Sequence, residues 1–169
     1  MGGKAHGGRR IESLEALQLF NFLMVEVGQS DESGIITDAE LAGSYRRGKT
    51  DCGDLDIVII PNDQEAFDAF CSRKFGHLKN GKPKRTGLFD GVQVEFYVAT
   101  PDNWGSQLQM WTGSWRHNQK LRALAKAQGL SLSQYGFKNR ETKELVKACP
   151  LEGDVYAYLG LDFVVPEDR

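Results

Sequence analysis

Gly53-Asp54-Leu55-Asp56-Ile57-Val58-Ile59-Ile60, followed by Pro61, decides the fold. The run Ile57–Ile60 is β-branched throughout and closed by a proline, which reads as a buried strand. In a strand, residues two apart share a face. Asp54 and Asp56 therefore project together, and Leu55, Ile57 and Ile59 project to the other side. Carboxylates held side by side repel and are tolerated mainly where a cation bridges them. Hard oxygen ligands suit Mg²⁺. Taken alone, an Asp-x-Asp pair is equally a strand edge with solvated acids.

A second strand reads from Val92 to Ala99, joined to Thr86–Phe89 by Asp90-Gly91, the sequence of a tight hairpin. Val92, Val94, Phe96 and Val98 share one face; Gln93, Glu95 and Tyr97 share the other. If this strand pairs beside Leu55–Ile60, Glu95 completes a three-carboxylate site suited to two Mg²⁺ and to in-line phosphoryl displacement. Upstream lies Gly43-Ser44-Tyr45-Arg46-Arg47-Gly48-Lys49. Small residues let backbone amides approach a phosphate, and adjacent arginines offer planar, bidentate donors to its oxygens. Alone this is also a basic turn. Followed five residues later by Gly53-Asp54-Leu55-Asp56, it puts phosphate donors and metal ligands at opposite ends of one short connection.

The rest of the chain is organised around these pieces. Residues 1–10 are Gly-rich and basic and read as a disordered tail. Ile11 through Val27 carries a helical apolar pattern stopped at Gly28. Residues 29–34 read as a loop and Ile35–Ala42 as a strand. Asn62 is placed to cap a helix from Asp63 to about Lys74, and Asn80-Gly81 with Pro83 marks a turn. Pro101–Trp104 reads as a break. Ser114 is placed to cap a helix through Gln128, ended by Gly129. Beyond it come short strands and a helix near Glu152–Leu159. The expected division is a tail (1–10), an α/β half (11–101) and a small mixed lobe (102–169).

Composition narrows the class. The 169 residues carry 21 Lys+Arg against 23 Asp+Glu, a net charge of −2, which excludes a strongly basic nucleic-acid binder; 40% hydrophobic residues exclude a disordered acidic chain. The average hides a segregation. Ala69–Phe89 and Asn103–Arg140 together hold 12 of the 21 Lys/Arg and none of the 23 acids. That pattern fits a polyanion-binding face beside an acidic pocket as well as a merely solvated surface. Cys52, Cys71 and Cys149 are too scattered for a disulfide framework or a four-ligand zinc site and read as free thiols. The three histidines have no ligand spacing. Trp104 reads as core, whereas Trp111 and Trp115 lie in the acid-free stretch, where stacking on a base or sugar competes with core packing. No run approaches the length of a membrane span, and no signal-peptide stretch opens the chain; a soluble, intracellular monomer is expected.

Gly43 through Asp56 (GSYRRGKTDCGDLD) resembles the nucleotidyltransferase signature of family X DNA polymerases, the group of polymerase beta, polymerase lambda and terminal transferase. Further matches follow in order: Val94-Glu95-Phe96, Trp111-Thr112-Gly113-Ser114 with Asn118 and Arg122, Gly129–Tyr135 and Glu152–Arg169. The resemblance implies an α/β (α+β) fold, a nucleotidyltransferase palm with a mixed sheet and helices on one side, followed by a small C-terminal α+β nucleotide-binding lobe. It implies that Asp54, Asp56 and Glu95 are catalytic and bind two Mg²⁺, with Mn²⁺ as a substitute. Gly43, Ser44, Arg47 and Gly53 would hold phosphates. Trp111, Thr112 and Gly113 would line the sugar, and Asn118 would reach the base. Arg122, Lys120, Lys84 and Arg85 would contact DNA, and Tyr135 would support the closed state from behind.

The implied activity is templated addition of dNTPs to a primer 3′-hydroxyl in short gaps of a DNA duplex, as in DNA repair. Untemplated transfer, a non-polymerase nucleotidyltransferase and a DNA-binding protein of weak chemistry are the alternatives. The last arises because Glu95 stands where the family has Asp: an extra methylene moves the carboxylate by about 1.5 Å, and such displacements can cost about 10²-fold in rate. Met110 replaces a common aromatic, which bears on sugar discrimination. Trp115 stands where a smaller or acidic residue is common and is a candidate to stack on the incoming base. Only about 40 residues precede the signature, too few for the lyase domain of polymerase beta, so no deoxyribose-phosphate lyase activity is expected.

Overall fold

The structure, a computed structural model, describes residues 8–28, 34–75 and 84–169. The expected loop at 29–33, His77, the Asn80-Gly81-Pro83 turn and residues 1–7 of the expected tail lie outside the described residues. Arg9 and Arg10, the end of that tail, are tied down. The Arg9 amide donates to the Gly91 carbonyl at 2.7 Å, and Arg10 Nε pairs with Asp51 at 2.6 Å.

The first half runs β1 (Ile11–Glu12), α1 (Ser13–Gly28), β2 (Ile36–Leu41), a single turn α2 (Gly43–Arg46), β3 (Asp51–Cys52), β4 (Leu55–Pro61), α3 (Gln64–Phe75), β5 (Lys84–Phe89) and β6 (Val92–Val98). Four of these strands form a mixed sheet in the order β2-β4-β6-β5. β4 runs parallel to β6 and antiparallel to β2, and β5 closes the edge antiparallel to β6. The hairpin turn has Asp90 at φ 52° and Gly91 at φ 75°, the doubly left-handed geometry that an Asp-Gly pair adopts at least cost.

Both sheet faces are covered, which is why β4 reads as an unbroken apolar run. Leu55, Ile57 and Ile59 with Val92, Val94 and Phe96 pack under Leu23 and Val27 of α1 and Phe67, Phe70 and Cys71 of α3. The opposite face, carrying Val58, Ile60, Tyr97 and Ala99, is covered by Trp104, Leu108 and Trp111. Those residues belong to α4 (Trp104–Thr112), which follows a 3₁₀ turn at Pro101–Asn103. The sequence reading has only a break here and helices on one side of the sheet. The difference has a physical cause: the apolar stripe Trp104, Leu108 and Trp111 spans only a nine-residue helix and is interrupted by the buried polar residues Ser106, Gln107 and Gln109. A second shift is smaller. The α3 cap is Asp63, whose Oδ1 accepts from the Ala66 amide at 3.0 Å, while Asn62 donates to the Gly34 carbonyl at 3.2 Å.

The second half continues with α5 (Trp115–Ala127), an antiparallel sheet β7 (Leu130–Ser133), β8 (Gly136–Asn139) and β9 (Leu145–Lys147), and α6 (Glu152–Leu159). Ser114 caps α5 through the His117 amide, as its sequence indicates. Leu121, Ala125, Leu132, Phe137, Cys149, Val155, Tyr156 and Leu159 form a separate core. α4 joins the two halves. The Ser106 amide donates to the Cys149 carbonyl, the Ser106 hydroxyl lies 3.0 Å from both the Asn103 and Gln134 carbonyls and shares its one proton between them, and Gly105 lies so close to Leu151 that any side chain there would overlap its backbone.

Candidate active site

The ladder between β4 and β6 places Asp56 directly opposite Glu95. On neighbouring strands, directly opposed residues project from the same face. Asp54 joins them, and one carboxylate oxygen from each of Asp54, Asp56 and Glu95 lies within 4.8 Å of the others. Glu95 thus reaches the cluster despite its added length. Its Oε1 accepts from Gln93 Nε2 at 2.7 Å, and its Oε2 accepts from the Tyr97 hydroxyl and the Lys84 ammonium, each at 2.5 Å.

The Tyr97 oxygen also sits 3.0 Å from Asp56 Oδ1. A phenol has one proton. The shorter contact assigns it to Glu95, so the Asp56 contact needs a proton on Asp56 or a cation beside it. The electrostatics agree. Burial, then repulsion from Asp54 and Glu95, pushes the Asp56 carboxyl up to about 7. Burial also raises Glu95, but Lys84, Tyr97 and Gln93 outweigh it and hold that carboxyl below its usual range. Burial and the two neighbouring carboxylates push the Tyr97 phenol far up, so it stays protonated. A hard-oxygen donor set whose carboxylates repel one another is what a divalent cation satisfies, so these residues fit Mg²⁺.

Gly43 makes the cluster possible. It sits at φ 57°, and a side chain there would overlap the Asp56 carboxylate. The adjacent Ser44 hydroxyl is buried with no hydrogen-bond partner among the described residues. It lines a cleft of about 380 Å³ together with Gly43, Arg47, Asp54, Asp56, Met110, Trp111, Gly113, Trp115, Asn118 and Arg122. All eleven of these residues thus come from two short segments, 43–56 and 110–122, brought together by α4 lying across the sheet.

The two arginines of the signature part company. Arg47 donates to the Thr112 carbonyl and lines the cleft. Arg46 turns away from it: both terminal nitrogens bind Glu152 at 2.9 Å, Nε pairs with Glu40 at 2.7 Å, and Nη1 also donates to Thr112 Oγ1 at 2.9 Å. Glu152 also receives Arg169 at 2.6 Å, whose side chain is fully buried. This network ties the signature turn to the second half.

Trp111 stacks on Tyr97 with ring centroids 3.7 Å apart, and its indole donates to Gln107, which in turn donates to the Val98 carbonyl. Asn118 is held at both ends of its amide, accepting from Gln109 and donating to the Met110 carbonyl. Trp115 is 70% exposed at the cleft rim.

Other expected residues stand apart. Gly53, Thr112 and Lys120 do not line the cleft, and Tyr135 is on the exposed β7–β8 turn. Lys84 shares a face with Tyr97 and pairs with Glu95, whereas Arg85 faces the other side of the sheet and grips Asp68 at 2.8 and 3.0 Å. His117 is packed against the second core, its ring 2.9 Å from the Tyr156 hydroxyl. The sequence reading gave no role to Tyr97, Gln93, Gln107 or Glu152. Tyr97 carried a usable signal, being two residues from Glu95 on one strand face; Glu152 carried none, since its partner Arg46 lies 106 residues away.

Comparison with known proteins agrees with this geometry. The DNA polymerase beta palm profile matches residues 10–124, and the DNA polymerase beta thumb profile matches residues 107–169. The chain is 33% identical to the DNA polymerase/3′-5′ exonuclease PolX of Bacillus subtilis (strain 168), over 76% of its own length and 23% of that protein's. It is 27% identical to DNA polymerase lambda of Rattus norvegicus, with 95% and 33% covered, and 25% identical to the DNA-directed DNA/RNA polymerase mu of Homo sapiens, with 96% and 35% covered. It spans about a quarter to a third of the length of these curated relatives. The described residues contain no helix long and apolar enough to cross a membrane. With the signature turn, the carboxylate triad and both profiles in register, the chain belongs to the family X DNA polymerases and carries their palm and thumb.

Proposed function

We propose that this chain is a DNA-directed DNA polymerase that adds dNTPs to a primer 3′-hydroxyl in short gaps. The observation that carries the reading is the convergence of Asp54, Asp56 and Glu95 within 4.8 Å beside a cleft lined by Ser44, Arg47, Trp111 and Asn118. A triphosphate in that cleft meets the unpaired Ser44 hydroxyl and the Arg47 guanidinium, while Trp111 and Gly113 bound the sugar and Trp115 and Asn118 the base. Arg122 and Lys120 of α5 face the template strand. The palm extends to residue 101 and the nucleotide lobe from 102 to 169, and the chain works as a monomer.

Asp54, Asp56 and Glu95 would hold two Mg²⁺, or Mn²⁺, which when bound supply charge neutralisation for the triphosphate and a lowered pKa for the attacking hydroxyl. The chain's own residues do the positioning. Glu95, kept ionised by Lys84, Tyr97 and Gln93, attracts the 3′-hydroxyl proton. The 3′-oxygen bonds to the α-phosphorus as the bond to the bridging β-phosphate oxygen breaks, and pyrophosphate leaves. Arg47 stabilises charge on the departing phosphates.

The test is extension of a one-nucleotide gap with each single dNTP. Insertion of the complementary base alone is expected. Insertion of every base, or extension of single strands, would replace this reading with terminal transfer.

A further inference from the structure

Within the carboxylate cluster Glu95 is more fully matched by donors than Asp56. Glu95 has three donors on its two oxygens: Gln93 on Oε1, and Tyr97 with the Lys84 ammonium on Oε2. Asp56 Oδ1 has the Tyr97 oxygen at 3.0 Å, but the phenolic proton goes to Glu95. Lys84 is the first residue of β5, the edge strand of the sheet, and its side chain is 37% exposed. Its ammonium also lies 5.3 Å from the centre of the Tyr97 ring. A lysine head on a four-carbon stem at a sheet edge has room to leave and regains its hydration when it does.

We propose that Lys84 is a built-in counter-ion of Glu95 that competes with a divalent cation for that carboxylate and so weakens the Glu95-dependent site. The physical reason is exclusion by charge. A divalent ion binds a carboxylate oxygen at about 2.1 Å. On the oxygen Lys84 now holds, it would lie no more than about 5 Å from the ammonium, a like-charge contact in a half-buried site. Cation and lysine therefore exchange. Lys84 acts on the site as a positioning residue, keeping Glu95 ionised and aimed while no cation is there. This rests on the reading of Asp54, Asp56 and Glu95 as metal ligands.

The experiment is Mn²⁺ titration of the full chain, stripped of metal, followed by the EPR signal of free Mn²⁺. The wild-type chain should show a weaker class of site that Glu95→Gln removes. Lys84→Met should tighten that class by about three- to tenfold, and Lys84→Arg should leave it unchanged. Equal or weaker binding in Lys84→Met overturns the proposal. Loss of Mn²⁺ binding in Asp54→Asn but no change in Lys84→Met would sink the proposal while sparing the metal site; unchanged binding in Asp54→Asn and Glu95→Gln would sink both. A second measurement needs no variant. Acetylation of Lys84 in the wild-type chain, read by mass spectrometry, should accelerate several-fold as Mn²⁺ is added, and an unchanged rate contradicts the exchange.

Discussion

Glu95 stands directly opposite Asp56 across the parallel ladder of β4 and β6, and both carboxylates touch the same Tyr97 oxygen. The longer side chain is therefore matched to this backbone. Glu95→Asp retracts the carboxylate by about one bond, 1.5 Å, and separates it from Gln93, Tyr97 and Lys84. Primer extension by Glu95→Asp should fall by about 10²-fold, although aspartate is the residue common in the family. A gain in rate would show that Glu95 had been misplaced.

Gly43 is the tightest packing constraint in the site. A methyl group there meets the Asp56 carboxylate, and the residue holds a positive φ. Gly43→Ala should cost about 1–2 kcal/mol in backbone strain and reduce incorporation by about 10²-fold or more by displacing Asp56. Thermal melting and a single-turnover assay separate the two effects.

Glu152 joins Arg46 and Arg169 in a triad with little exposure, 9% for Glu152 against 18% and 0% for the arginines. Removing one partner of a buried pair leaves uncompensated charge and costs about 3–5 kcal/mol. For a chain of this size Glu152→Gln should lower Tm by roughly 6–20 °C. An apolar replacement of Arg46, Glu152 and Arg169 together should cost less than Glu152→Gln alone, since no buried charge is then left unpaired, and a larger loss in the triple variant would contradict the account.

Stability in the absence of metal should depend on Asp56. Its folded pKa is raised from 3.8 to about 7, so between these values the folded chain binds more protons than the unfolded one. Stability from this group is therefore present at low pH and lost as pH rises through that window. In chelator, Asp56→Asn should gain Tm relative to the wild-type chain between about pH 5 and pH 8. Mg²⁺ should reverse the order at the higher pH. A difference independent of pH would mean that Asp56 is not the group that titrates.

Much of this was legible in the sequence, for reasons that can be named. Asp54, Asp56 and Glu95 could be placed on common faces because strand alternation is strict, and Asp90-Gly91 fixed the hairpin that orients Glu95. Local chemistry also gave the Ser114 cap. The helix α4 was missed because it is buried on two sides, so Gln107 and Gln109 take positions where a surface helix has apolar residues. Arg46 and Arg47 looked alike as neighbours. Only the fold shows that one is spent on Glu40 and Glu152 while the other lines the cleft. Lys84 and Arg85, alike in the basic stretch, separate because adjacent strand residues face opposite ways.

The central claim is that the Asp54–Asp56–Glu95 cluster performs nucleotidyl transfer on DNA. The measurement is correct-nucleotide insertion into a gapped duplex with Mg²⁺, wild type beside Asp54→Ala, with DNA binding of each followed by fluorescence anisotropy. The account predicts insertion by the wild-type chain, and loss of insertion with nearly unchanged DNA affinity in the variant. Insertion by Asp54→Ala at the wild-type rate would contradict it.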